Sequence, residues 1–225
     1  MEKTISTHAV STKYESPVMR AVNQAISRLR RQLSEDGGKA ESHARAVLSR
    51  LRHAAGIDPE ENLLAWSTVM GEVVPDLPEK LLGKGDAPSP SEYAIFTALT
   101  LYGLHQQSVS ENMHSPESKR GQGMSFACSV GKMAQQRGSA SIKGRFDALM
   151  TAKTRRSRGY YLRNIVGLLR TEKIPCDYGR LAEDLRRIEN PAQRSRVLLA
   201  WGRDYARGFY PTSRDVQNSE KPAEA

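Results

Sequence analysis

The chain has 225 residues, 38% hydrophobic and 26% charged, which is apolar enough for a folded core and excludes a disordered tail. Its formal net charge is +9, and no run approaches the ~20 consecutive apolar residues of a membrane span. Two distant cysteines, Cys128 and Cys176, exclude a disulfide framework or thiolate metal site. The opening MEKTISTHAV lacks the apolar core of a secretory signal, so a cytoplasmic setting is expected.

Taken in chain order, the apolar spacing predicts an all-α protein. Pro17–Leu33 repeats Val18, Val22, Ala25, Ile26, Leu29 and Leu33 at helical steps, ending at Gly37-Gly38. Ala40–Ala55 places Ala44, Val47, Leu48 and Leu51 on one face. Asp58-Pro59 predicts the start of a third helix carrying Leu63, Leu64, Trp66 and Met70. Residues 75–90 read as a Pro- and Gly-punctuated connector. Ser89-Pro90-Ser91-Glu92 forms a capping-box pattern that opens a helix through about Gln107.

Ser108–Gly123 reads as a polar loop. Helices are then expected near Met124–Arg137, Ser141–Lys153, Ser157–Thr171, Asp177–Glu189 and Asn190–Phe209. Trp201, Tyr205 and Tyr210 are expected to close the C-terminal core. The predicted architecture is two small helical bundles packed into one elongated unit, covering 15–115 and 116–210. Residues 1–14 and 211–225 are expected to be disordered ends.

Charge divides at the same point. Residues 1–115 hold 12 Lys and Arg against 14 Asp and Glu, whereas 116–225 hold 22 against 11. Between Lys119 and Arg170 the only acidic residue is Asp147. A segment of uncompensated cations suits a polyanionic partner, because clustered Lys and Arg release counterions from phosphates. On the predicted helix over 157–171, Tyr161, Leu162, Ile165, Val166, Leu168 and Leu169 share one arc, with Arg163 and Arg170 opposite. Those two lie about 10.5 Å apart along one line, which Arg156 extends if the helix starts early. Lys153, Arg155 and Arg158 surround its N-terminus, where backbone N–H groups also favour anions. Lys132 adds a further cation to the segment. The plain alternative is a solubilising helix exterior. That reading is kept for Arg180, Arg186, Arg187, Arg194, Arg203 and Arg207, which alternate with acids, Glu183–Arg187 forming an i,i+4 pair.

No catalytic pattern emerges. Gly121–Met133 carries a Gly-Lys, yet Phe126 stands where a phosphate-binding loop needs glycine and Met133 where it needs Ser or Thr. The five histidines have no ligand spacing, and Ser125 and Cys128 have no base nearby in sequence. A non-enzyme with no cofactor and no metal is expected.

Several motifs in order resemble the CasB family, the small subunit of the type I-E CRISPR surveillance complex, Cascade. They are SRLRHAAG at 49–56, GMSFA at 123–127, Arg145-Phe146 with Leu149-Met150, YYLRNIVGLL at 160–169, IPCDYGRLAEDL at 174–185 and WGRDYARGFY at 201–210. Phe126-Ala127, Gly144 and His53 depart from the family pattern. The resemblance implies a non-catalytic helical protein whose partners are guide RNA, target and non-target DNA strands, the Cascade backbone and large subunits, and a second copy of itself. Its basic surface is expected to stabilise the R-loop. Arg52, Lys119, Arg120, Arg145 and Arg163 fall in or beside family motifs; Lys132, Lys153, Arg155, Arg156, Arg158 and Arg170 come from charge alone. The alternative is a helical protein–protein adaptor whose basic face docks on an acidic protein.

Overall fold

Side-chain caps set most helix starts in the computed structural model, which describes residues 15–34, 38–116 and 124–210. Among these, nine α-helices are present: α1 Pro17–Ser34, α2 Lys39–His53, α3 Leu63–Val73, α4 Pro90–His105, α5 Phe126–Arg137, α6 Ala140–Thr151, α7 Arg155–Thr171, α8 Tyr178–Ile188 and α9 Pro191–Phe209. The all-α class expected from the spacing is what forms. At α4 the capping box is reciprocal: Glu92 N donates to Ser89 Oγ at 3.2 Å, and Ser89 N donates to the Glu92 carboxylate at 2.7 Å. Ser125, Asp177 and Asn190 cap α5, α8 and α9 with their side chains.

Two of the starts that differ from the sequence expectation have a clear local cause. Asp58-Pro59 opens only a 3-10 turn over Pro59–Glu61, because the Asp58 side chain caps nothing. Asn62 accepts from Ala65 N at 3.1 Å instead and starts α3. Conversely, α7 begins at Arg155 and not Ser157, since Thr154 and Ser157 form a second reciprocal box. Arg155, Arg156 and Arg158 therefore lie on the helix itself. The expected disordered ends, 1–14 and 211–225, and residues 117–123 of the polar loop lie outside the described residues.

Helix α4 is buried on almost every side, the mark of a central helix. It packs on α2, α7 and α8, while α8 also lies against α1 and α9. The halves expected on either side of residue 115 thus meet in one continuous core. Tyr210 does not join that core. It is 72% exposed, edge-on to Phe209, because α9 ends beside it.

The tightest packing joins α5 to α9. A Cβ on Gly131 would fall inside the van der Waals radius of the Tyr205 carbonyl oxygen and 2.9 Å from Phe209 N. On the facing helix, a Cβ on Gly208 would meet the Cys128 carbonyl and approach Lys132 N at 2.9 Å. Backbone meets backbone here, so no side chain can rotate away. Gly131, the glycine of the spurious Gly-Lys, is a packing residue.

A buried polar cluster links α4 to α8. His105 Nδ1 lies 2.8 Å from the Tyr178 hydroxyl, and Tyr178 N donates to His114 Nδ1 at 3.2 Å. Burial pushes both imidazoles down from about 6.5 to about 4; Asp177 opposes this at His114. On α8, burial pushes the Asp184 carboxyl up to about 6, although Trp201 Nε1 donates to it at 2.7 Å.

Gly131→Ala and Gly208→Ala are each expected to destabilise the fold by about 3 kcal/mol or more. Gly202→Ala, where the added Cβ meets nothing within 4 Å, is expected to be neutral or stabilising by up to ~1 kcal/mol. Urea unfolding compares them. A second expectation concerns acid. Both histidines hold fewer protons folded than unfolded between about pH 6.5 and about 4, so stability is complete above that window and falls as pH drops through it. Asp184 holds more protons folded than unfolded between about 3.8 and about 6, so it gains stability on acidification and offsets one histidine. The net loss from pH 7 to 4 is expected on the order of 3 kcal/mol, and Asp184→Asn is expected to steepen it in urea unfolding at several pH values.

Candidate nucleic-acid interface

Starting α7 at Arg155 puts Arg156, Arg163 and Arg170 on one line, as the seven-residue spacing requires. The buried arc of the helix holds Leu162, Ile165, Val166 and Leu169, which leaves this row at the rim against the N-terminal half. Each arginine is anchored there. Arg156 pairs with Glu61 beside α3. Arg163 Nη1 donates to the Ala55 carbonyl in the turn after α2. Arg170 Nη1 donates to Gln107 Oε1 at 2.5 Å, just beyond α4. Gly56 makes this docking possible: its φ of +77° suits glycine, and a Cβ would press on Arg163 and the Gly159 carbonyl at 3.0–3.1 Å. Tyr160 stands 60% exposed on the same side of α7, edge-on to Tyr161 at 5.3 Å.

The arginines at the head of α7 are engaged differently. Arg155 Nε donates to Glu189 at 2.8 Å, and Arg158 Nη2 pairs with the other oxygen of the same carboxylate. The Arg158 side chain is only 6% exposed. It fails the expectation of an outward cation because α8 ends against it and delivers Glu189. Arg155 also lies over the Tyr93 ring, 4.3 Å from its centroid. The premise that this segment has no acidic partners is therefore corrected: Glu61 and Glu189 are supplied from outside it. Glu183, for its part, pairs with Arg186 and not Arg187, which donates to Gln193 at 3.2 Å.

The remaining nominated cations separate by position. Lys132 on α5, Arg145 on α6 and Lys153 after α6 are exposed, with no ion pair among the described residues. Arg52 is partly exposed and lines an open groove of about 550 Å³ between α1, α2 and the end of α4. Arg30 and Arg45 line it too, and no acidic residue among the described residues does. Gln107, the anchor of Arg170, is also in its wall, so groove and α7 row share a rim. The structure brings Arg52 and Arg163 together around the turn after α2. Lys132 and Arg145 lie apart, on the α5–α6 side. Lys119 and Arg120 lie outside the described residues.

Sequence reasoning missed Arg30 and Arg45 because the N-terminal half averages to net negative. The usable signal was Arg45, Ser49 and Arg52 at i, i+4 and i+7, which puts all three on one face of α2. Arg194 was also set aside as one of a mixed-charge run. It lines a smaller cavity with Lys153 and Arg158.

Residues 47–205 match the family model described as CRISPR-associated protein Cse2. The chain belongs to the Cse2 family. Its fold is similar to CasB from Thermobifida fusca, with a TM-score of 0.65 and 28% identity over 85% of this chain and 98% of that one. A Cse2-family protein from Thermus thermophilus gives a TM-score of 0.55 and 27% identity over 82% and 97%. A chain of a CRISPR RNA-guided surveillance complex shares the fold, with a TM-score of 0.60 at 16% identity over 91% and 99%. A comparison with proteins of curated function found no match.

The Cse2 match spans every nominated cation from Arg52 to Arg170. Among the described residues of this Cse2-family chain no His, Cys, Asp and Glu cluster has metal-binding geometry, and no helix is long and apolar enough to cross a membrane. Ser125 is a helix cap whose hydroxyl donates to the buried Asp204 at 2.8 Å. What the surface offers chemically is guanidinium and ammonium donors at helical pitch.

Glu189→Gln is expected to cost about 3 kcal/mol, because it leaves Arg158 buried without its counter-charge. Arg156→Ala is expected to cost no more than ~1 kcal/mol, since that pair is 72% and 50% exposed. Urea unfolding of the two variants separates an interior ion pair from a surface one.

Proposed function

We propose that this Cse2-family chain is a non-catalytic small subunit of Cascade that grips nucleic-acid backbone without reading sequence. It holds the guide RNA–target heteroduplex and the displaced strand, and so stabilises the R-loop. The observation that carries this reading is the groove lined by Arg30, Arg45 and Arg52, which shares its rim with the arginine row of α7. Its wall holds no acid among the described residues, although Glu41 pairs with Arg45 beside it. A line of cations at this pitch suits a row of phosphates and carries no base information. The family membership supports it, as does the fold shared with a chain of a CRISPR RNA-guided surveillance complex. R-loop formation exchanges one duplex for another of about equal stability, so sequence-independent backbone contacts are enough to tip it.

The adaptor reading keeps one observation of its own. Leu63 and Leu64 at the start of α3 are 69% and 63% exposed, a small apolar surface suited to a protein neighbour. The two readings separate on co-purification: the Cascade subunit brings RNA-containing partners, and an adaptor brings protein alone.

Fluorescence anisotropy with single-stranded DNA and with an RNA–DNA heteroduplex, titrated with salt, tests the proposal. Affinity is expected to fall linearly on a log–log plot. Arg52→Ala and Arg145→Ala are each expected to weaken binding equally across sequences and to flatten the salt slope by about 1. A flat salt response, or variants that bind as the parent chain does, sinks the reading.

A further inference from the structure

The cavity walled by Arg158 lies between the end of α6, the start of α7, the end of α8 and α9, away from the groove. It measures about 170 Å³, below the ~300 Å³ at which ordinary small-molecule pockets begin. Leu149, Ile188 and Trp201 give it apolar walls, while Lys153, Arg158 and Arg194 bring three cations into it. Arg155 stands next to it through the shared carboxylate of Glu189. Glu189 is the one carboxylate, among the described residues, that bonds to any of these four cations. Asp184 sits behind Trp201 and accepts its indole N–H at 2.7 Å.

The donors in this cavity are incompletely used. Arg158 is 5% exposed, yet its Nη1 meets no acceptor. A buried donor left unmade is costly, and such a group is ordinarily met by a function, an ion or an ordered water. Arg194 spends only Nε, on the Ile188 carbonyl at 3.0 Å, and Lys153 has no ion pair among the described residues. Burial pulls the Arg158 guanidinium below the ordinary arginine range. Glu189 opposes that, while Arg194 and Arg155 add to it. Lys153, Arg155, Arg158 and Arg194 against Glu189 leave the formal charge around the cavity positive.

We propose that this cavity is an oxyanion site that takes one phosphate group, held by Arg158, Lys153 and Arg194. A tetrahedral oxyanion in the cavity meets the Lys153 ammonium and the Nη groups of Arg194 beside the Arg158 guanidinium, and neutralises the excess charge. The apolar walls raise the strength of these bonds by excluding water. The volume holds the phosphate group alone, so a backbone phosphate enters with its sugars and bases left outside the mouth. The phosphate comes either from a nucleic-acid backbone or from free inorganic phosphate. The site stands on cavity geometry alone and does not rest on the R-loop reading.

Inorganic phosphate is the probe. The full chain is titrated at constant ionic strength, with chloride replaced by phosphate, and followed by thermal unfolding and calorimetry. A saturable rise in Tm is expected. Lys153→Gln and Arg194→Gln leave the Arg158–Glu189 pair in place, and each is expected to raise the phosphate Kd about tenfold. Phosphate that acts no differently from chloride, or variants that bind it as the parent chain does, overturns the proposal. A competition arm identifies the source. If phosphate displaces a labelled 5′-hydroxyl oligonucleotide beyond the chloride control, the site takes a backbone phosphate. If phosphate binds saturably without displacement, it takes the free anion. Failure of oligonucleotide binding alone sinks only the R-loop reading.

Discussion

The close crossing of α5 and α9 is the constraint on which most of the C-terminal half depends. Ordinary helix pairs stand about 8–10 Å apart, but Gly131 and Gly208 let these two meet main chain to main chain. That approach drives Trp201 against Phe126 and stacks Tyr205 on Phe146 at 4.9 Å. It also carries Asp204, between them in sequence, to 2% exposure. A carboxylate so placed needs donors, and it receives Ser125 Oγ at 2.8 Å, Arg180 at 2.7 Å and Arg207 at 2.6 Å. The cap of α5, the start of α8 and the end of α9 are thereby tied to one buried charge. With α8 fixed at its start, its far end brings Glu189 to the head of α7.

That delivery explains why counting charge along the chain misjudged α7. Arg158, Arg155 and Arg156 find their carboxylates 31, 34 and 95 residues away. A local window cannot contain partners that only the tertiary fold supplies. The count still held at the level of the segment: Lys132, Arg145 and Lys153 remain exposed without ion pairs among the described residues. Net charge over a long segment is a robust statement about field, whereas the state of a single arginine is a statement about packing.

The same division runs through what else was legible. Helix identity was readable because apolar spacing and caps act locally. Ser89–Glu92 and Asn190-Pro191 behave as their side chains dictate. The α7 start was misplaced because a Thr–Ser box is a weaker signal than the Glu-bearing form. Asp58-Pro59 failed because Asn62, four residues on, offered the better cap. Tyr210 was assigned to the core on residue type, and only the end of α9 decides that it points to solvent. The arginine groove went unread because it joins α1, α2 and the end of α4, three stretches that share no sequence window.

Anchored arginines are not thereby lost to a backbone-binding role. A guanidinium carries five N–H donors in a fixed fork, and Arg163 spends one terminal nitrogen on Ala55 while remaining exposed. Such a side chain is already ordered, so binding avoids part of the about 0.5–1.5 kcal/mol that ordering a free side chain costs. Arg155 and Arg158 differ, since Glu189 cancels one of their charges and burial withholds Arg158 from a passing strand. The row on α7 and the groove beside it therefore suit phosphates that slide past. The cavity at Arg158 suits a single phosphate that enters and stays. On the proposed reading, backbone capture with little sequence preference needs the first kind of contact in number, which the single cavity at Arg158 cannot supply.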